Sequence, residues 1–278
     1  MHQTVAARPV RKGGRFAMSV GVFVIGILAG GIQASPLANI EKLAESSASG
    51  NDLSIAMGQG LSMTFVWIPA LDLWVGQYEV TNEQYNRYDM SHEYQPYYSH
   101  RLDEPVQPAV CVSWEDARNF CNWMTRRSKD QMPSGRVCRL PTEREWTGFA
   151  TCGDGRIYPW GNAWPPPNGW NYRGEEGAGM LYRLFQKDAC IQGHNDGFIV
   201  GCAVKKSGKN SWGLYGVGGN VWEWCQDGYN DDHITRVLKG GAWNNDEPRH
   251  LAVTNRSDAL PNKNNQMIGF RVVVGPQP

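Results

Sequence analysis

Seven cysteines are the side chains in this sequence best suited to redox chemistry or soft-metal binding. They are Cys111, Cys121, Cys138, Cys152, Cys190, Cys202 and Cys225. Because seven is odd, at least one thiol has no partner within the chain. No two of them form a C-x-x-C motif, so the spacing gives no support to a zinc ribbon or a thioredoxin-like site. We expect disulfides or buried thiols, and proximity along the chain suggests the pairs Cys138–Cys152 and Cys190–Cys202.

A second candidate for chemistry is the carboxylate of Glu223, which stands between two tryptophans in GGNVWEW (218–224). The glycines permit tight backbone turns. Trp222 and Trp224 alternate with Val221 and Glu223, which is typical of a strand buried on both faces. A buried Glu223 needs a cationic or hydrogen-bonding partner. A calcium ion would be one such partner.

The composition limits the classes of partner. The chain has 278 residues and equal numbers of basic and acidic side chains, 27 each. A formal net charge of zero gives no electrostatic reason to expect binding to nucleic acid or to an anionic membrane. With 12 Trp, 32 Gly and 16 Pro but only 19% charged residues, the sequence indicates a compact, loop-rich fold.

The N-terminus has the three-part pattern of a secretory signal peptide. Basic residues from Arg8 to Arg15 precede an apolar run from Phe16 to Ile32, and Ala34 offers a small residue for cleavage. An uncleaved membrane anchor is the alternative, and only in that case would we expect a membrane partner. We therefore expect a signal peptide at 1–34, a linker at 35–60 and one domain at 61–278. The destination would be the periplasm, the cell surface or the medium.

The elements that would position these groups can be read in outline. Residues 63–78 alternate and are broken at Pro69, which predicts two short strands in a hairpin. Thr81, Ser113 and Thr142 are each followed by side chains that favour helix N-termini. Residues 153–219 lack periodicity and read as long loops. Strand signals return at 236–239 and 269–274, so the fold class is α+β.

Eight short blocks, taken in order, resemble one known family. The blocks are WVGQYEVTNEQYNRY (74–88), PVQPAVCVSWEDARNFCNWM (105–124), CRLPTEREW (138–146), YPWGNAWP (158–165), NDGFIVGCAV (195–204), NSWGLYGVGGNVWEWCQDGY (210–229), VLKGGAW (237–243) and IGFRVV (268–273). They resemble the sulfatase-modifying-factor domain of the formylglycine-generating-enzyme family. The resemblance implies a C-type-lectin-like fold with little regular secondary structure, in which two helices pack against a small antiparallel sheet with long loops.

The resemblance also implies calcium sites built from oxygen ligands. Carried over by block, the first site would use Asn171, the Tyr172 carbonyl, Asp196 and the Phe198 carbonyl. The second would use the carbonyls of Gly219 and Val221 with the side chain of Glu223. The family usually has Asn or Asp where this chain has Gly216, so the second site lacks one side-chain ligand. The alternative is that these groups only hydrogen-bond the loops.

The family's best-known enzymes bind copper through two cysteines that follow the GG-[SA]-[WY] block and oxidise a cysteine of a protein substrate to formylglycine. In this sequence Asn245 and His250 stand at those positions, and no cysteine follows Cys225. An amide and an imidazole cannot replace a dithiolate for Cu(I). Copper is therefore not expected, and the resemblance favours a protein without this activity. An oxidoreductase acting on a protein cysteine, or a family enzyme with another metal, remains an alternative.

The Asn-rich tail from Gly240 to Arg271 resembles the variable segment that lectin-fold proteins of diversity-generating retroelements display as a ligand-binding surface. Such loops are adaptable hydrogen-bonding groups on a rigid scaffold. The ligand-binding residues would be Trp243, Asn244, Asn245, Asp246, Glu247, Arg249, His250 and Asn255. The partner would be a protein or a glycan. Alternatively, the asparagines serve turns within the loops.

Overall fold

The computed structural model describes residues 52–179 and 190–277 of the chain. The expected signal peptide at 1–34 and the first part of the expected linker lie outside these residues. Within the described ranges, no helix is both long enough and apolar enough to cross a membrane.

The helices and strands that the described residues form are short. The strands are β1 (Leu53–Gly58), β2 (Leu61–Ile68), β3 (Leu73–Gly76), β4 (Val137–Arg139), β5 (Trp222–Gly228), β6 (Arg236–Lys239), β7 (Ser257–Ala259), β8 (Ile268–Gly269) and β9 (Val273–Gly275). The helices are α1 (Asn82–Tyr85), α2 (Trp114–Arg127), α3 (Glu143–Ala150) and α4 (Pro248–Leu251). This confirms the α+β class.

The first sheet joins both ends of the domain, with strand order β1-β2-β3-β9-β4. The predicted hairpin is its β2–β3 pair, which is antiparallel. The adjoining strand β1 lies inside the range expected to be a linker. Ile55 and Met57 of β1 are buried on alternate positions, as in a half-buried strand. Residues 53–58 are therefore a strand of the domain and not part of the expected linker, because the apolar face of this strand packs in the core.

The second sheet is smaller and has the order β7-β6-β5-β8. Its strands are antiparallel except for β5 and β8, which run parallel. The strand expected from GGNVWEW is β5, which begins at Trp222. The structure therefore has two sheets where one small sheet was expected, and the chain passes from β8 in the second sheet to β9 in the first through residues 270–272.

The two longer helices begin where their capping residues predict. Ser113 accepts a hydrogen bond from the Asp116 backbone N–H, and the Asp116 side chain accepts one from the Ser113 N–H. Thr142 and Glu145 form the same reciprocal pair at the start of α3. Helix α2 packs Phe120, Cys121 and Met124 into the core, among other residues.

The described parts of residues 153–219 run as loops with short 3-10 turns at Glu175–Gly177 and Val204–Lys206. Aromatic stacking holds this region in place of regular structure. The Trp160 ring lies 4.7 Å from that of Tyr158, 5.3 Å from that of Trp170 and 5.7 Å from that of Tyr172. These contacts fix the backbone on both sides of Asn171, the first residue of the expected calcium set.

Candidate functional site

The carboxylate of Glu223 has a protein partner, which is Arg271. Both side chains are fully buried, and Arg271 Nη2 donates to Glu223 Oε1 at 2.7 Å. Trp146 Nε1 donates to Glu223 Oε2 at 2.8 Å. Charge and hydrogen bonding at Glu223 are thus satisfied within the chain, as a buried carboxylate requires.

Arg271 also connects segments that are distant in sequence. Its Nη1 donates to the Gly76 carbonyl at 2.8 Å, and its Nη2 donates to the Tyr215 carbonyl at 2.6 Å. The planar guanidinium suits this multiple bonding. Arg271 was not expected as the partner of Glu223, although a charged residue inside the apolar block IGFRVV signals that a buried group must neutralise it.

A second buried carboxylate, Glu79, lies beside the Glu223–Arg271 pair. Its Oε1 accepts a hydrogen bond from Asn220 Nδ2 at 3.0 Å, and its Oε2 lies 3.9 Å from Arg271 Nη2. The Oε2 atom has no hydrogen-bond partner among the described residues. Burial raises the pKa of Glu79 to about 8, because Arg271 offsets the desolvation only in part and Glu223 adds to the shift.

Glu79 explains why position 216 is a glycine. Gly216 has φ +62°, and a Cβ at this position would overlap the Glu79 carboxylate. The Asn or Asp of the family pattern therefore cannot be accommodated here. Since Arg271 already neutralises Glu223, the set of Gly219, Val221 and Glu223 is a poor fit for a calcium ion.

The first expected calcium set, by contrast, has an oxygen without a partner. Asn171 is fully buried, and its Nδ2 donates to Asp196 and Val200 while its Oδ1 has no partner among the described residues. Asp196 Oδ2 accepts the Tyr172 N–H at 2.9 Å, and Asp196 Oδ1 accepts the Phe198 N–H at 2.8 Å. The four expected ligand residues therefore lie together. An unpartnered buried amide oxygen beside a carboxylate fits a hard cation.

His194 packs against the same carboxylate. Its Nε2 lies 2.9 Å from the Trp170 carbonyl and 3.6 Å from Asp196 Oδ2, and its Nδ1 lies 3.1 Å from the Pro166 carbonyl. Among the described residues, no group of three or more His, Cys, Asp or Glu side chains is arranged to hold a metal ion. A cation here would therefore depend on amide and carbonyl oxygens as well as Asp196.

The position of the family's first copper cysteine is occupied by an asparagine with a structural role. Asn245 Oδ1 accepts a hydrogen bond from the Ala242 N–H at 2.8 Å. Its backbone carbonyl accepts one from the Arg173 N–H at 3.0 Å. The side chain of this half-buried residue thus closes the turn after the GGAW block.

Trp243 corrects the expected ligand surface, because it is only 3% exposed and belongs to the core. Its ring lies edge-on to that of Tyr97, with centroids 4.7 Å apart. Tyr97 in turn contacts Tyr98, which is 57% exposed. The loop that carries these tyrosines was missed in the sequence analysis, because no local pattern links residues 97–98 to the C-terminal segment.

The other residues of the expected ligand set are partly exposed and partly half-buried. Glu247 and Arg249 are exposed and form an ion pair with an O···N distance of 2.7 Å. Asp246 is half-buried and pairs with Arg173, which the sequence analysis also missed, at 3.1 Å. The remaining half-buried members are Asn244, His250 and Asn255, and Asn255 Nδ2 donates to the His250 carbonyl at 3.1 Å. We use the term C-terminal face for Tyr97, Tyr98, Arg173, residues 244–250 and Asn255.

Neither suggested disulfide is formed. Cys138, Cys152 and Cys202 are all thiols in the structure. Cys138 shares a core cluster with Cys121, whereas Cys152 Sγ lies 3.8 Å from the Phe149 carbonyl at the end of α3. Proximity along the chain does not predict a pair here, because Cys138 packs against Cys121 of α2 while Cys152 lies beyond the end of α3.

Comparison with known proteins gives a family match over most of the chain. The model of the sulfatase-modifying factor enzyme 1-like domain matches residues 48–276. An inactive Cα-formylglycine-generating enzyme 2 of Bos taurus is 34% identical over 175 residues, covering 60% of this chain and 50% of the relative. A formylglycine-generating enzyme of Thermomonospora curvata is 31% identical over 195 residues, covering 63% of this chain and 57% of the relative. The chain thus spans about half the length of these relatives.

Among solved structures, the Treponema denticola variable protein 1 is similar with a TM-score of 0.60 and 21% identity. The match covers 82% of this chain and 100% of that protein. At this level of identity the likeness concerns the fold alone. It confirms the expected C-type-lectin-like fold of the formylglycine-generating-enzyme type.

Proposed function

The chain belongs to the sulfatase-modifying factor enzyme 1-like domain family, and from that membership we propose that it is a non-catalytic binding domain. Its ligand surface would be the C-terminal face, and its ligand would be a protein. The Asn245–Ala242 hydrogen bond is the observation that carries this proposal. Asn245 stands where the first copper-binding cysteine is expected, and its side chain holds the backbone instead. No cysteine follows Cys225 to supply a second thiolate.

The composition of the C-terminal face supports binding. It combines exposed Tyr98 with Arg249, Glu247 and several half-buried polar groups. Tyrosine and arginine are the residues that contribute most to protein recognition, and asparagine supplies adaptable hydrogen bonds. Tyr97 anchors this surface to the core through Trp243, so its aromatic part is rigid before a ligand arrives. The name of the bovine relative, an inactive family member, is consistent with loss of the chemistry.

We further propose that calcium stabilises the domain at the first ligand set. Asn171 and Asp196 would supply side-chain oxygens, and Tyr172 and Phe198 would supply carbonyl oxygens. When bound, the ion would hold the loop around Asn171 against the loop around Asp196 and so support the neighbouring C-terminal face. The Arg173 N–H, two residues after Asn171, donates to Asn245, which links the two regions through one segment.

Export is proposed on the N-terminal pattern alone, which lies outside the described residues. Expression of the full chain followed by N-terminal sequencing of the exported product tests it. A mature terminus at Ser35 is expected, whereas an intact N-terminus on a membrane-bound product would contradict cleavage.

Selection of a peptide library displayed on phage against the purified domain tests the binding proposal. We expect enriched peptides whose affinity falls at least tenfold with Tyr98→Ala or Arg249→Ala, because exposed Tyr and Arg side chains are typical binding hot spots. Ile234→Ala, at an exposed residue outside the C-terminal face, serves as the control and should bind as the wild type does. Binding that none of the face substitutions changes, or no enrichment at all, would contradict the proposal. Enrichment on a glycan array alone would also overturn the choice of a protein ligand.

A further inference from the structure

Cys121 of helix α2 and Cys138 of strand β4 lie together in the core. Their side chains belong to one buried cluster, and they are 2% and 3% exposed. The two residues come from elements separated by a turn at Lys129–Gln131 and a loop. The packing of α2 on β4 therefore brings the two cysteines together.

Thr125 fixes the spacing between these two elements. Its hydroxyl accepts a hydrogen bond from the Cys138 N–H at 2.9 Å and donates one to the Cys138 carbonyl at 3.1 Å. Cys121 precedes Thr125 by four residues, so both side chains lie on one face of α2 about 5–6 Å apart. Cys121 is thus held one helical turn from a residue that is bonded to the Cys138 backbone.

The two thiols also interact with each other. Burial raises the pKa of Cys121 well above its ordinary value, and the neighbouring Cys138 thiol raises that pKa further. The shared core cluster and the Thr125 bonds to the Cys138 backbone thus place the two side chains next to each other between α2 and β4.

A cleft gives small molecules access to the pair. It has a volume of about 300 Å³, and its lining includes Cys121, Cys138, Arg118, Arg139 and Gln226. Arg118 and Arg139 at its walls favour an anionic reagent. Cys225 and Cys152 do not line this cleft, since Cys225 is fully buried elsewhere and Cys152 lies at the end of α3.

We propose that Cys121 and Cys138 are a redox-active pair that forms a disulfide between α2 and β4 on reaction with a small-molecule disulfide entering this cleft. One cysteine, as thiolate, attacks the reagent and forms a mixed disulfide while one reagent thiolate leaves. The second cysteine thiolate then attacks the protein sulfur, closes the Cys121–Cys138 bond and releases the second reagent thiolate. The protein dithiol loses two electrons and two protons, and the reagent disulfide gains them as two thiols.

Peptide mapping of the purified full chain tests the proposal. The reduced protein is incubated with oxidised glutathione, alkylated under denaturing conditions and digested with trypsin without reduction. Trypsin places Cys121 in the peptide 119–126 and Cys138 in the peptide 137–139, and each contains one cysteine. We expect these two peptides to be found joined, with two fewer alkylated thiols than the seven of the reduced chain.

A thermal melt gives a second readout. Closing a loop of this length should raise the melting temperature of the oxidised protein by about 5–10 °C, and a reductant should reverse the rise. Cys138→Ser should abolish both the linked peptide and the rise, whereas Cys152→Ser, the control, should retain both. The proposal is overturned if both thiols remain alkylatable, or if Cys138 is found joined to Cys152. The peptide map of the wild type decides even if a variant fails to fold.

Discussion

Asn245 Oδ1 accepts the backbone N–H of Ala242 at 2.8 Å, at the position where catalytic relatives are expected to carry a copper-binding cysteine. The asparagine is therefore part of the scaffold. A cysteine could not make this bond with comparable strength, because a thiol is a weak acceptor. The turn at this position is closed by a hydrogen bond from the backbone to the Asn245 side chain.

Asn245→Ala should destabilise the domain. Removing the side chain leaves the Ala242 N–H without its partner in a half-buried turn, which costs about 1–2 kcal/mol. Chemical denaturation at neutral pH measures this loss in the free energy of unfolding.

The neighbouring Asn244 provides a matched control for that measurement. Its Oδ1 is buried without a partner among the described residues, so Asn244→Ala should change stability by less than about 0.5 kcal/mol or increase it. Equal losses for the two variants would contradict the structural role assigned to Asn245.

Gly216→Ala should be more damaging than an ordinary substitution of a glycine with positive φ. The added methyl group overlaps the Glu79 carboxylate, and displacement of that buried side chain adds about 1–3 kcal/mol to the backbone cost. Urea unfolding of the variant measures the total loss in the free energy of unfolding from the backbone cost and the displaced side chain.

Gly213→Ala separates the two contributions. Gly213 has φ +82°, and a Cβ there would meet nothing within 4 Å, so only the backbone cost of about 1 kcal/mol is expected. A Gly216→Ala loss no larger than the Gly213→Ala loss would show that Glu79 does not fill this space.

The acid sensitivity of the domain should depend partly on Glu145. Burial opposes ionisation of Glu145, but hydrogen bonds from Arg139 and the Thr142 N–H outweigh it and hold its pKa below the ordinary value. A lowered folded-state pKa contributes stability above the unfolded pKa of about 4.3 that is lost as the pH falls through the folded pKa. Glu145→Gln should remove about 1–3 kcal/mol at pH 7 and flatten the stability profile below about pH 5.

Unfolding curves of the wild type and variant between pH 2 and 7 test this expectation. Glu83→Gln, at an exposed first-turn glutamate of α1, is the control and should leave the acid limb unchanged. If Glu145→Gln retains the full acid dependence of the wild type, the Arg139 pairing does not control it.

Calcium should raise the melting temperature of the domain, and a chelator should reverse the effect. At a hundredfold excess over Kd, one site that exists only in the folded state adds about 2.7 kcal/mol. Asp196→Asn should abolish the calcium-dependent increment, since it removes the charged ligand. Asp232→Asn, on an exposed loop, should preserve it. A melting temperature that responds to neither calcium nor chelator would exclude the site.

Local features of the sequence predicted local features of the fold. The helix starts at Ser113 and Thr142 followed from capping residues that act within three positions. The hairpin of β2 and β3 followed from alternation and a proline. The order of the blocks predicted the overall fold because the family maintains it.

Long-range relationships were not predictable in the same way. Glu79 meets Asn220, and Arg271 meets Gly76, across more than 140 residues, so no window of sequence contains both partners. Trp243 was expected at the surface because it begins an Asn-rich segment, but the Tyr97 loop covers it. Cys121 and Cys138 share a core cluster through the packing of α2 on β4, which proximity along the chain does not predict.

The most direct measurement of the central claim is an assay of a sulfatase-motif peptide with the purified domain and added copper, with an active formylglycine-generating enzyme of the family as positive control. Mass spectrometry of the peptide detects conversion of its cysteine to formylglycine. We expect no conversion above the sample without protein, because Asn245 and His250 cannot provide the two thiolates that Cu(I) requires. Repeated turnover by the domain would contradict the claim and would establish it as an oxidoreductase.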